Sequence, residues 1–80
     1  MRLPRDVSGR ALAKALGKLG YRITREAGSH IRVTRDQDGE HHVTIPDHSP
    51  IKVGTFSAIL RDVAANNGLE RDELLRLLFG

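Results

Sequence analysis

The chain has 80 residues, which predicts a single domain over residues 1–80 with a modest hydrophobic core. It contains no cysteine, so it can build neither disulfides nor thiolate–zinc clusters, and this composition fits a reducing cytoplasm. Its apolar stretches are too short to span a membrane, and its charged first ten residues do not resemble a signal peptide. We therefore expect a cytoplasmic protein with no membrane partner.

The basic residues are concentrated in the first half of the chain. Residues 1–35 contain nine Lys and Arg against two acidic residues, whereas residues 36–80 contain four against eight. Ten of the thirteen basic residues are arginine, whose planar group can donate two hydrogen bonds to one phosphate. A basic half favours a polyanionic partner such as nucleic acid, with a merely solvated basic surface as the alternative.

The first predicted element is a helix over about residues 9–19. Ser8 is a suitable N-cap, and Leu12 and Leu16 fall on one helical face. Gly20 supplies the left-handed residue that ends the helix. A first strand is predicted over residues 21–26 from the alternation of Tyr and Ile with Arg and Thr.

A second strand (residues 30–35) and a third strand that ends at Pro46 form a predicted hairpin. The residues at 36–39 suit a type I turn followed by a left-handed Gly39, so that the numbers of paired residues sum to 76. In this register the apolar residues of both strands lie on one side of the sheet: Ile31, Val33, Val43 and Ile45. The turn and the hydrophobic pattern therefore predict the same register.

Two helices complete the predicted fold. The first runs from about Val53 to Ala65, and the last runs from about Arg71 to Phe79. The buried stripe of the first is predicted to be Val53, Phe56, Ile59, Leu60 and Val63. The order α-β-β-β-α-α predicts an α+β fold, in which a three-stranded antiparallel sheet has helices on one face, as in the double-stranded-RNA-binding fold.

Strand periodicity places a polar set on the other face of the sheet: His30, Arg32, Thr34, His42 and Thr44. Such a face is either an ordinary solvated surface or a site where a histidine acts as general acid or base beside phosphate-binding arginine. Histidine suits RNA cleavage because its unperturbed pKa of about 6.5 allows it to take the 2′-hydroxyl proton near neutral pH.

A second proton-transfer group has two candidates among the remaining histidines. The predicted register sets His42 opposite Thr34, about 13 Å from His30 along the strands, which is too far to flank one phosphodiester. His48 follows Pro46, which faces His30, and is the better candidate. The histidines lack a recognised zinc-ligand spacing, so we predict neither a metal site nor another cofactor.

Several motifs, taken together in order and spacing, resemble the HicA family of toxin–antitoxin ribonucleases. Gly28-Ser29-His30 matches the Gly-Ser-His signature that carries the catalytic histidine of this family. Further motifs that resemble the family are Leu3-Pro4, Ser8-Gly9-Arg10, Leu19-Gly20-Tyr21, Gly39, Val43-Thr44-Ile45-Pro46, His48, Gly54-Thr55-Phe56 and Ile59-Leu60-Arg61. Residues 64–67 look inserted relative to the family pattern, which predicts a longer second helix.

The resemblance implies a metal-independent endoribonuclease that cleaves mRNA, with His30 as its single catalytic residue. We assign six residues to RNA binding: Gly28, Ser29, Arg32, His48, Lys52 and Thr55. Lys52 and Thr55 lie at a predicted helix N-terminus, where the helix dipole favours anions.

The expected partners are single-stranded or messenger RNA and a HicB-like antitoxin, and the free protein is expected to be monomeric. We expect the antitoxin to cover His30, Arg32 and the loop around His48, with apolar contacts from the leucine-rich last helix. A non-catalytic RNA-binding module is the alternative, and the Gly-Ser-His turn argues against it because binding alone does not require that turn.

Overall fold

The computed structural model describes residues 2–80. In chain order the elements are α1 (Gly9–Leu16), β1 (Arg22–Ala27), β2 (His30–Asp36), β3 (Glu40–Pro46), α2 (Val53–Asn67) and α3 (Arg71–Phe79). The strands form one antiparallel sheet in the order β1-β2-β3, and the helices pack on one of its faces. The predicted α+β class and order of elements are confirmed. No helix in residues 2–80 is both long and apolar enough to cross a bilayer.

Helix α1 begins and ends where its capping residues predict. The Ser8 hydroxyl accepts a hydrogen bond from the backbone N–H of Ala11 (3.0 Å). After Leu16 the chain tightens into one turn of 3₁₀ helix, Gly17–Leu19, and stops at Gly20, whose φ is 93°. The helical stretch over residues 9–19 is therefore confirmed, although its last three residues are not α-helical.

The hydrophobic core lies between the helices and one face of the sheet. Residues 30–36 and 40–46 pair with numbers that sum to 76 throughout, which confirms the predicted register. The completely buried apolar residues are Leu12, Leu16, Ile31, Val33, Ile45, Val63, Leu74 and Leu75. Each contributes about 1.5–3 kcal/mol relative to an exposed side chain, so the core depends on this register.

Two details of the predicted loops and helices are wrong. Asp38 has a φ of 54°, so the 36–39 turn is not type I, although Gly39 is left-handed as expected. Aspartate tolerates this conformation, and the strand register is unaffected. Val53 is 71% exposed because it is the first residue of α2, and Ile51 from the preceding loop is buried instead. Helix α2 continues to Asn67, as the inserted residues predict.

A β-bulge interrupts β1. Ile23 pairs with Val33, but the next pair is Arg25 with Arg32, so Thr24 is an extra residue. The alternation predicted for residues 21–26 is therefore broken, because Arg25 moves to the face of the sheet that the helices do not cover, which we call the outer face. Glu26 pairs with Ile31 and moves to the helix-covered face.

A partly buried polar network joins the sheet to α2. The Tyr21 hydroxyl lies 2.6 Å from His41 Nδ1 and accepts a hydrogen bond from Asn67 Nδ2 (3.1 Å). His41 Nε2 lies 3.2 Å from a carboxylate oxygen of Asp62, an arrangement that favours a proton on Nε2. Nδ1 then accepts from the tyrosine hydroxyl. Burial raises the pKa of Tyr21 above its ordinary value.

Helix α1 touches the end of β3 without an intervening side chain. A Cβ atom on Gly9 would lie 2.0 Å from the Pro46 carbonyl oxygen, so this close approach requires glycine. The Gly9 N–H donates to the His48 carbonyl oxygen (2.9 Å). The start of α1 therefore fixes the loop that carries His48.

Candidate active site

His30 is the first residue of β2 and directly follows a tight turn. Ala27 pairs with His30, and Gly28 has a φ of 59°, a left-handed conformation that favours glycine. Only the first of the two central turn residues has positive φ, which is the pattern of a type II′ hairpin. The His30 side chain is exposed, and its imidazole makes no hydrogen bond or ion pair with residues 2–80.

Two further elements hold the turn that carries His30. The Ser29 carbonyl oxygen accepts a hydrogen bond from the Asp47 N–H (2.7 Å), which ties the turn to the end of β3. The Arg10 guanidinium of α1 binds the carboxylates of both Glu26 and Asp47. These carboxylates, Glu26 more than Asp47, raise the pKa of Arg10. The backbone around His30 is therefore fastened to α1 and β3.

A groove of about 270 Å³ lies next to this turn, at the N-terminus of α2. It is lined by Pro46, His48, Pro50, Lys52 and Thr55. Pro46 is also the partner of His30 in the β2–β3 ladder, and paired Cα atoms lie about 4.5–5.5 Å apart. The ladder therefore places the His30 backbone beside Pro46, one of the residues that line the groove.

The groove suits an anion. Lys52 is the N-cap residue of α2, and its side chain makes no capping hydrogen bond, so the first N–H groups of the helix stay available. These groups carry the positive end of the helix dipole, next to the Lys52 ammonium group. The groove thus offers backbone donors and a positive charge to a phosphate.

The four histidines differ in what their side chains contact. His41 contacts Tyr21 and Asp62, and His42 Nδ1 lies 2.8 Å from the hydroxyl oxygen of Thr34. The side chains of His30 and His48 have no hydrogen-bond partner in residues 2–80. His30 and His48 are therefore the two histidines whose ring nitrogens are open to a substrate.

The residues on the outer face of the sheet are less uniformly exposed to solvent than the strand pattern predicts. Thr34 is only 1% exposed because it lies on the central strand between Thr24 and His42, and its hydroxyl contacts both. Arg32 is half-buried on the same face, two residues from His30, which is about 7 Å along the strand.

A protein-family model, described as HicA toxin of bacterial toxin-antitoxin, matches residues 9–64. This span covers more than half of the chain. The chain belongs to the HicA toxin family. Comparisons with curated proteins and with solved structures each found no match. The predicted resemblance is confirmed, and membership of HicA implies an antitoxin partner.

The span matched by the HicA model contains every residue that the sequence assigns to the site. It begins at Gly9, the residue that touches Pro46, and ends within α2, before α3. The structure brings His48, Lys52 and Thr55 together in the groove that Pro46, the ladder partner of His30, also lines, whereas Arg32 shares the outer face of the sheet with His30 and does not line the groove. The roles of these residues stay predictions.

The sequence alone did not identify Arg10. Its guanidinium binds Glu26, which precedes the turn that carries His30, and Asp47, which hydrogen-bonds to that turn. The Ser8-Gly9-Arg10 motif was a signal, but a motif alone does not reveal that its arginine reaches Glu26 and Asp47, 16 and 37 residues away.

In residues 2–80 no group of three or more His, Asp or Glu is arranged to hold a metal ion.

Proposed function

We propose that this HicA toxin is a metal-independent endoribonuclease that cleaves mRNA, with His30 as its catalytic proton-transfer residue. One observation carries the proposal. The exposed imidazole of His30 has no partner, and the ladder partner of His30, Pro46, lines a groove that offers Lys52, Thr55 and open helix N–H groups to a phosphate.

His30 takes the proton of the ribose 2′-hydroxyl in this mechanism. The 2′-oxygen then forms a bond to the adjacent phosphorus, and the bond from phosphorus to the 5′-oxygen breaks. Lys52 and the first N–H groups of α2 stabilise the negative charge that develops on the phosphoryl oxygens. His48, whose ring nitrogens are also without a partner, is the candidate to protonate the leaving 5′-oxygen.

The HicB-like antitoxin binds over the same surface in this proposal. His30 and His48 are both exposed, so a partner can reach them without a rearrangement of the sheet. The expected apolar contribution of α3 is smaller than the sequence suggests. Leu74, Leu75 and Leu78 are at most 2% exposed and belong to the core, whereas Leu77 is 49% exposed.

The test of the catalytic role is His30→Ala, compared with His42→Ala. We expect His30→Ala to lose about 10²–10⁴ in cleavage rate, the usual contribution of a positioned acid or base. Its circular dichroism spectrum should be unchanged because His30 lies outside the core. His42→Ala alters the same sheet face but a histidine that already contacts Thr34, so cleavage should persist.

Two results would contradict the proposal. If His30→Ala cleaves RNA as fast as the wild type, His30 is not the proton-transfer residue. If the wild type binds mRNA without cleaving it, the protein is a non-catalytic RNA-binding module.

A further inference from the structure

The β-bulge in β1 sets two arginines side by side on the outer face. Without the extra residue Thr24, Arg25 would point to the helix-covered face and Glu26 to the outer face. The bulge reverses both. Glu26 thereby reaches Arg10 of α1, and Arg25 comes to lie directly opposite Arg32.

A pair of like charges at directly opposed positions destabilises an antiparallel sheet. Neither the Arg25 nor the Arg32 side chain makes an ion pair or hydrogen bond within residues 2–80. Arg25 is exposed and Arg32 is half-buried. The fold therefore keeps two arginines at directly opposed strand positions with no carboxylate to offset their charge.

The acidic residues of the outer face lie at the other end of the sheet, near the β2–β3 turn. Asp36 there binds Arg22 (3.3 Å), and Glu40 lies 3.8 Å from His42. The half of the face next to His30 carries no acidic residue in the described register. Charge is thus segregated along the strands, and the unpaired positive charge lies at the His30 end.

We propose that Arg25 and Arg32 together bind a phosphate of the RNA strand that flanks the phosphate attacked at His30. This inference rests on the proposed ribonuclease function. Guanidinium groups suit phosphate because each presents two parallel N–H donors. A bound phosphate also removes the repulsion between the two arginines, so the free protein is strained at this pair and the complex is relieved.

The positions of these residues define a path for the RNA strand across the sheet, from β3 over β2 to β1. The Lys52 groove borders Pro46 on β3, His30 and Arg32 lie on the central strand, and Arg25 lies on β1. An RNA strand that places its scissile phosphate at the groove therefore reaches Arg25 only if it extends beyond that phosphate. Substrate length becomes a test of the assignment.

The experiment compares Arg25→Gln with Arg22→Gln, a matched control on the same strand whose charge Asp36 already offsets. Both are made in the His30→Ala protein, and binding to a single-stranded oligoribonucleotide is measured from low to high salt. For Arg25→Gln we expect an affinity loss of about tenfold or more, and a salt slope lower by about 0.7 to 1. Arg22→Gln should change neither by more than about twofold.

Two further readouts separate binding from structural support. The melting temperature of free Arg25→Gln should stay equal to that of its parent or rise, because a repulsive pair is removed. In proteins that retain His30, Arg25→Gln should lower kcat/KM for a long oligoribonucleotide but not for a dinucleoside monophosphate, which has no flanking phosphate.

The assignment is overturned if Arg25→Gln matches Arg22→Gln in affinity and salt slope, or if it lowers the melting temperature together with the affinity. Weaker antitoxin binding with unchanged RNA binding also overturns it, because the pair then serves the antitoxin. If the wild type never cleaves RNA but Arg25→Gln still weakens RNA binding as expected, the ribonuclease proposal fails and the phosphate-binding pair stands.

Discussion

Replacing Gly9 by alanine tests how strongly the start of α1 controls the rest of the molecule. The added Cβ would lie 2.0 Å from the Pro46 carbonyl oxygen, and Cβ atoms essentially never come within 3.0 Å of such a neighbour. Both sides of the contact are backbone, so α1 and the end of β3 must separate by about 1 Å. Separation also lengthens the hydrogen bond from the Gly9 N–H to the His48 carbonyl.

The expected cost of Gly9→Ala follows from these contacts. Overpacking of this kind costs about 1–3 kcal/mol, and the better helix propensity of alanine returns at most about 1 kcal/mol. Because an approach of 2.0 Å to backbone puts the clash near the upper end of that range, we expect a net loss of about 1–2 kcal/mol in the free energy of unfolding, or roughly 4–16 °C in melting temperature for a chain of this size. Cleavage should fall by about 10² because a 1 Å displacement reaches the loop that carries His48.

Gly17→Ala is the matched control because it lies just after the same helix. Its Cβ would meet no atom within 4 Å, and its φ of −57° suits any residue. This variant should be as stable as the wild type or up to about 1 kcal/mol more stable. Chemical denaturation of the three proteins, with cleavage assays on each, provides the measurement. If both alanine variants raise stability equally, the close approach of α1 to β3 does not control the fold.

Three further predictions concern the polar network, the antitoxin and metal ions. Tyr21→Phe should lower the free energy of unfolding by about 1–2 kcal/mol, because His41 and Asn67 lose a buried partner; an unchanged denaturation midpoint would refute this. Arg32→Glu should weaken antitoxin and RNA binding together in titrations, and a loss of RNA binding alone would mean that the two partners use different surfaces. Cleavage should persist in EDTA; loss on chelation that one divalent ion restores would assign a metal to the reaction.

The sequence could predict those parts of the fold that depend on local chemistry or on strict alternation. Ser8 and Gly20 mark the ends of the first helical stretch through their own hydrogen bonds and dihedral angles. The β2–β3 register follows from apolar pairs that cannot shift by one residue without leaving the core. His30 and its turn are marked by a short motif of adjacent residues.

The remainder depends on tertiary contacts that no local pattern contains. The bulge at Thr24 has no proline or glycine to announce it, yet it determines which face Arg25 and Glu26 occupy. Arg10 matters through two carboxylates far away in the chain. Val53 has the helical spacing of a core residue but lies where α2 has not yet reached the core.

The two ion pairs of Arg10 make the candidate site depend on residues that lie far apart in the chain. The Arg10 guanidinium reaches forward 16 residues to Glu26 and 37 to Asp47, so the turn at His30 is held by residues that precede it and by a residue that follows it in the chain. A nascent chain that ends before β3 lacks both the second anchor of the turn and the Lys52 groove. The candidate site can therefore assemble only once the chain has been synthesised through Thr55, the last of the residues that line the groove.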